Sequence, residues 1–180
     1  MMDAAFTGSS LIVVLVALLL DHIFGEVSRW HPLVGFGRLA QGWERRFNQG
    51  GEIARFAKGM LGVMVLTVPV IMLLHRVHLP APLQWLWDAT IVYFCLGFRS
   101  LREHTTPIAT ALQNLQHASP EAAATGLQEA RTRTSWIVSR DVESLDEQQC
   151  ARAAVESLLE NGNDALFATL FWYLLLGPAG

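Results

Sequence analysis

The sequence predicts an all-α fold, and more narrowly a polytopic integral membrane protein with a helical cytosolic segment between its third and fourth apolar runs. Three observations carry this reading. The 180 residues are 52% hydrophobic and 16% charged, with a mean hydropathy of +0.31, whereas about a quarter of an ordinary soluble chain is charged. The apolar residues gather in long runs. No stretch alternates at period two, the mark of a half-buried strand, while the polar segment between Arg99 and Asn163 shows helical spacing. There is no internal repeat, and the length suits a single membrane domain, 1–180. A net charge of −3 argues against a nucleic-acid surface, which would be basic.

The first run, Phe6–Phe24, has an unbroken apolar core from Leu11 to Leu20. Residues 1–10 carry no cation, and no small-x-small cleavage site follows Leu20, so the run is expected to be retained rather than removed as a signal peptide. The second, Gly59–Leu74, is bounded by Lys58 and by His75-Arg76, and Pro69 within it suggests a kink of the sort spanning helices tolerate. The third is Leu83–Phe98, interrupted by Asp88. The fourth, Ala165–Leu176, is shorter than the about 20 apolar residues a full crossing takes.

The cations alternate with these runs. Arg29, Arg38, Arg45, Arg46, Arg55 and Lys58 lie in residues 25–58, and Arg99, Arg102, Arg131, Arg133, Arg140 and Arg152 in residues 99–163. Only Arg76 lies in the connection between the second and third runs. Cytosolic loops are rich in Lys and Arg, so the N-terminus is expected outside, 25–58 inside, the hairpin 75–82 outside and 99–163 inside. The expected location is a bacterial inner (plasma) membrane, with membrane lipid as a partner.

Within the second cytosolic segment, Ile108, Leu112 and Leu115 follow the spacing of one helix face. Ser119-Pro120-Glu121 reads as N-cap, first-turn proline and early acid. Ser144-Leu145-Asp146-Glu147 fits a capping box. The helix it opens is expected to run to Glu160 and to stop at Asn161-Gly162, both tolerant of left-handed angles. Asn163 or Asp164 would then cap the last run. Ala153, Ala154, Val155, Leu158 and Leu159 are expected to form the packing side of that helix. Cys95 and Cys150 read as small buried side chains, not as a disulfide or thiolate cluster.

The chemistry-bearing residues fall in two places. Arg140, Asp141, Arg152, Glu156, Glu160 and Asp164 crowd against the fourth apolar run, where unpaired charges are costly to desolvate. Arg152, Glu156 and Glu160 recur every four residues, so they share a helix face and Arg152 can pair with Glu156. The oxygens of Glu160-Asn161-x-x-Asp164 are either helix caps or hard ligands suited to Mg²⁺. A helix N-terminus near Asp164 would also favour an anion. The second place is His31-Pro32 with Gly35-Phe36-Gly37-Arg38: glycines two apart permit a close backbone approach, and Arg38 can hold carboxylate or phosphate. No phosphate-binding Gly-x-x-x-x-Gly-Lys-Ser/Thr loop exists. The histidines, among them His22, His75, His78, His104 and His117, show no zinc-binding spacing. Trp30, Trp43, Trp85, Trp87, Trp136 and Trp172 mostly sit near the ends of apolar runs, as an interfacial aromatic belt does.

In three blocks the sequence resembles the CobD/CbiB family, the adenosylcobinamide-phosphate (cobinamide) synthases of cobalamin biosynthesis. The first block is Leu20-Asp21 through Gly25, His31-Pro32-Leu33-Val34 and Gly37-Arg38-Leu39. The second is Arg99-Ser100-Leu101. The third runs through Ala130-Arg131, Ser135–Asp141, Arg152–Glu156, Glu160-Asn161, Asp164 and Leu170-Phe171. The chain departs from the family pattern with Glu26-Val27 in place of Asp-Pro, and with Ser139, Val142, Gly162, Ala165 and Thr169; the acidic and Asn positions are kept. The resemblance implies a membrane-bound ligase that joins aminopropanol, or its O-phosphate, to adenosylcobyric acid, using ATP and Mg²⁺. It implies other corrin-pathway enzymes as partners and no nucleic acid. It also implies that the chain is the first part of a longer protein. On this reading Asp141, Glu160 and Asp164 are catalytic, with Glu160 and Asp164 near Mg²⁺. Arg38, His31, Arg140, Asn161, Arg152 and Glu156 serve substrate or phosphate. Two other readings are a membrane sensor of the AmpE type and a helical subunit that scaffolds membrane enzymes.

Overall fold

A computed structural model describes residues 8–27, 31–115 and 119–180, the side chain of Pro120 apart. Phe6 of the first apolar run, Arg29, Trp30 and His117 lie outside the described residues. All regular structure among the described residues is helical: α1 (Gly8–Phe24), α2 (Pro32–Phe47), α3 (Glu52–Arg76), α4 (Ala81–Cys95), α5 (Phe98–Leu115), α6 (Pro120–Thr134), α7 (Glu147–Gly162), a π turn (Asn163–Ala168), α8 (Thr169–Leu176) and a 3₁₀ turn (Gly177–Ala179). These helices form two compact units. One comprises the described residues up to Leu96 with Thr169–Gly180; the other is Gly97–Ala168.

In the first unit α1 lies along α4. Val13, Ala17 and Asp21 recur every four residues, and this narrow stripe is buried, as are Ala89 and Val92 of α4. Gly25 ends α1 with φ 62°, a left-handed angle suited to glycine, and its N–H donates to the Asp21 carbonyl at 2.8 Å. The Tyr93 hydroxyl of α4 donates to the Gly25 carbonyl at 2.8 Å and ties this corner down. α2 packs on α3, where the indole of Trp43 lies over Gly62 and donates to the Lys58 carbonyl at 3.0 Å. α3 continues through Pro69 for 25 residues, about 37 Å at the α-helical rise. Among the described residues it is the one helix long and apolar enough to cross a membrane, while α1, with 17 residues, is a shorter apolar helix. The third run yields the 15-residue α4, about 22 Å long.

In the second unit α5, α6 and α7 pack pairwise around Ile108, Ala111, Ala130, Thr134, Cys150, Ala153 and Ser157. Ser119 and Pro120 open α6 as the sequence predicts, with Glu121 in the first turn, although the Ser119 hydroxyl makes no cap bond.

Several expectations are corrected. The capping box of α7 is Asp146 with Gln149, two residues beyond Ser144 and Glu147. Both sets satisfy the pattern, but the Leu145 carbonyl is taken by Arg131 Nε at 2.7 Å, outside the helix. α7 ends at Gly162, as expected, but without a break in the helical path. Asn163, the C-cap, has φ −61° and ψ −50°, and the chain passes directly into the π turn and then α8, so Asn161 does not cap α7 and Asp164 does not cap a separate α-helix. The packing side of α7 is Cys150, Ala153 and Ser157, whereas Val155, Leu158 and Leu159 are exposed. Small side chains let helices approach closely, which bulky ones at those positions would prevent. Cys150 is buried but Cys95, at the end of α4, is exposed.

Candidate functional site

The candidate site lies within the second unit, where the segment after α6 folds back along α7. Arg131 fixes that segment through the Leu145 carbonyl, and the Ser157 hydroxyl donates to the Ile137 carbonyl. Ser157 in turn accepts from Asn161 Nδ2 at 2.9 Å, and the same amide donates to the Ser157 carbonyl at 2.9 Å. The Asn161 side chain is therefore oriented by two bonds to one residue a turn earlier.

Arg140 is brought onto α7 by this fold-back. Its Nη2 donates to Glu156 Oε2 at 2.7 Å, while Arg152 Nε donates to Glu156 Oε1 at 2.9 Å. One carboxylate thus takes a guanidinium on each oxygen. These bonds, the one from Arg140 foremost and that from Arg152 next, hold the Glu156 carboxyl below the usual glutamate range. Charge-assisted bonds of this kind favour the ionised acid. The pair Arg152–Glu156 is the one the four-residue spacing predicts; the bond from Arg140, 16 residues away, is added by the tertiary fold.

Between the segment and the helix is a cavity of about 390 Å³, lined by Ile137–Arg140 on one side and by Ala153, Glu156, Ser157, Glu160 and Asn161 on the other. Arg140 lines this cavity and keeps spare N–H donors, since a guanidinium has five. Glu160 is exposed, and its carboxylate makes no hydrogen bond or ion pair with another described residue. The cavity therefore presents a cationic edge and a carboxylate within one chamber. Ser157 and the backbone of Ile137 are members that spacing alone did not single out. The signal for Ser157 was present: it stands four residues before Asn161 on the small-residue face of α7.

The other expected site residues are placed elsewhere. Asp141 is exposed, and its Oδ1 accepts the Glu143 N–H at 2.9 Å, closing a local turn. Asp164 opens the π turn, where its Oδ1 accepts from Asn163 Nδ2 at 3.1 Å. Neither lines the cavity. His31 and Arg38 belong to the first unit. His31 is the N-cap of α2: its Nδ1 accepts the Leu33 N–H at 3.3 Å, and its ring meets Phe94 edge-on at 5.6 Å. Arg38 is exposed on α2. Gly35 and Gly37 sit inside that helix with nothing within 4 Å of where a Cβ would lie, so they serve no close approach.

Among the described residues no group of three or more His, Cys, Asp or Glu is arranged to hold a metal ion. The cavity supplies Glu160 as a free hard ligand, the share a protein gives to an Mg²⁺ that arrives on substrate phosphates.

The model of the CobD/Cbib protein family matches residues 14–180. The chain is 43% identical over 167 residues to "Cobalamin biosynthesis protein CobD" of Stutzerimonas stutzeri, covering 93% of this chain and 52% of that protein. It is 40% identical over 170 residues to the protein of the same name from Chromobacterium violaceum, covering 92% and 51%. To "Probable cobalamin biosynthesis protein CobD" of Pyrococcus furiosus it is 34% identical over 167 residues, covering 92% and 54%. The chain spans about half the length of these curated relatives. No solved structure matches. A family model that fits all but the first 13 residues, with relatives at this identity across the same span, makes the chain a member of the CobD/CbiB family.

Proposed function

We propose that this chain is part of a membrane-bound, multi-pass enzyme of cobalamin biosynthesis. The reaction is ATP-dependent amide ligation of aminopropanol, or its O-phosphate, to the free propionate of adenosylcobyric acid. The observation that carries this reading is the chamber with both signs of charge: Arg140 on one wall, bonded across to Glu156, and Glu160 and Asn161 beside Glu156 on the α7 wall. Joining an amine to a carboxylate requires a cationic group for the acid or phosphate and an anionic or carbonyl group for the ammonium.

A carboxylate resists amines until it is activated. The propionate oxygen takes the γ-phosphoryl of ATP and ADP leaves; the amine nitrogen then attacks the acyl carbon, loses a proton and expels inorganic phosphate. Arg140 neutralises phosphate or propionate oxygens, which is where charge gathers in such a transfer. Arg152 holds Glu156, and Glu156 holds Arg140 in place. Glu160 and the Asn161 carbonyl oxygen receive the ammonium, and Glu160 takes its proton. Mg²⁺ held with the nucleotide by Glu160 would supply further neutralisation of phosphate, and Asp164, outside the cavity, is assigned to the ion on the resemblance alone. His31, Arg38 and Asp141 are assigned to substrate handling on the resemblance alone.

The test is product formation by the full-length protein in native membranes, supplied with adenosylcobyric acid, ATP, Mg²⁺ and each form of the amine. The expected result is an amide product with one ADP released per bond. Corrinoid left unchanged with both amines would refute the reading.

A further inference from the structure

At the foot of α3 is a second cavity, of about 270 Å³, whose lining includes Trp43, Phe47, Glu44, Arg55 and Lys58. Its walls are aromatic: the Trp43 and Phe47 rings stand 4.4 Å apart, and the Arg46 guanidinium lies 6.0 Å from the Phe47 ring centre. Arg46 and Arg55 have no carboxylate partner among the described residues, although Glu44 and Glu52 are near in sequence. Lys58 donates to the Gln49 carbonyl at 2.9 Å and keeps two N–H donors. Arg55 and Lys58 against Glu44 leave the lining positive, and Arg46, beside the Phe47 ring, adds to the positive charge around it.

Position along α3 says what such a cavity meets. The apolar stretch of the helix begins at Gly59, and Arg55 stands four residues before it, about 6 Å further out along the axis. That distance is the depth of a lipid headgroup layer, given about 30 Å of hydrocarbon in a bilayer of about 40–45 Å. In the same turn Ile53 is 87% and Phe56 72% exposed, which puts bare apolar surface beside the cations at this level. The Trp43 indole, bonded to the Lys58 carbonyl, occupies the same level.

We propose that this cavity holds the headgroup phosphate of an anionic phospholipid, gripped by Arg55, Lys58 and Arg46 with the glycerol edge against Trp43 and Phe47. The proposal rests on the membrane reading of α3 and is independent of the ligase reading. The test is lipid retention by the purified full-length protein, extracted in mild detergent with equal phosphatidylglycerol and phosphatidylcholine and weighed by native mass spectrometry. Wild type should retain phosphatidylglycerol preferentially, and R46Q/R55Q should lose that preference by about tenfold or more, given the attraction of each basic side chain near an anionic surface. The charge-keeping R46K/R55K pair should retain it, which a variant that merely misfolds would not, and R102Q on α5 should leave it unchanged. Equal retention of the two lipids by wild type, or unaltered preference in R46Q/R55Q, would overturn the proposal. Displacement of phosphatidylglycerol by millimolar inorganic phosphate would also overturn it, by assigning the cavity to free phosphate. A protein that does not fractionate with membranes at all would instead refute the membrane reading.

Discussion

Glu156 takes a guanidinium on each carboxylate oxygen, and that arrangement sets how the candidate site responds to pH. Its folded pKa is depressed, so the stabilisation it lends is present above the unfolded value and is lost as pH falls through the folded one. The window therefore lies below the ordinary glutamate value of 4.5. A carbon-13 titration of the labelled side chain should show Glu156 ionising below that value. R140Q should raise it more than R152Q, because the bond from Arg140 is the larger cause; equal shifts, or none, would contradict this geometry. Ser157 carries a different load. Its hydroxyl, in a buried position, joins the Ile137 carbonyl to the Asn161 amide, so S157A leaves the Ile137 carbonyl without this donor while Asn161 keeps its bond to the Ser157 carbonyl. The expected cost is about 1–3 kcal/mol, read as a lowered midpoint of thermal unfolding in detergent; an unchanged midpoint would show that the network is not coupled to stability.

At the scale of elements, two glycines mark where helices meet. A Cβ at Gly62 would overlap the rigid indole of Trp43, whereas one at Gly126 would come 2.6 Å from the Cδ2 of Leu115, the end of a flexible side chain. G62A should therefore destabilise by about 1–3 kcal/mol and break the indole bond to Lys58, while G126A costs less because Leu115 can turn aside. Comparable losses in thermal midpoint would contradict that ranking. The same contrast explains what the sequence made legible. The second apolar run lies wholly within α3 and most of the third within α4, and the start of α6 and the pair Arg152–Glu156 follow from spacing within one element. Three features were hidden. The bond from Arg140 to Glu156 depends on a turn of residues 135–146 whose fold is set by Arg131 and Ser157, both distant in sequence. The capping box had two competing frames, and a carbonyl held elsewhere chose between them. Gly162 and Asn163 tolerate a helix end without requiring one, and the π turn carries the chain past them. Its Ala165 carbonyl receives the Gly97 N–H at 3.2 Å, a tertiary partner invisible to local patterning.

For the whole molecule, the proposed multi-pass topology places residues 25–58 and 99–163 on the cytosolic side. In a background with C95S and C150A, single cysteines at H31C and E160C should react with a membrane-impermeant maleimide only in inside-out vesicles. Labelling of the two from opposite faces would refute the shared sidedness. The central claim is that the chamber on α7 performs the ligation. It is tested most directly by amide formation in membranes containing full-length protein with E160Q or with R140Q, at protein levels matched to wild type. The account predicts that each loses at least about 100-fold in turnover, the scale of removing a general base or a charge-stabilising donor. Wild-type rates in both would contradict it.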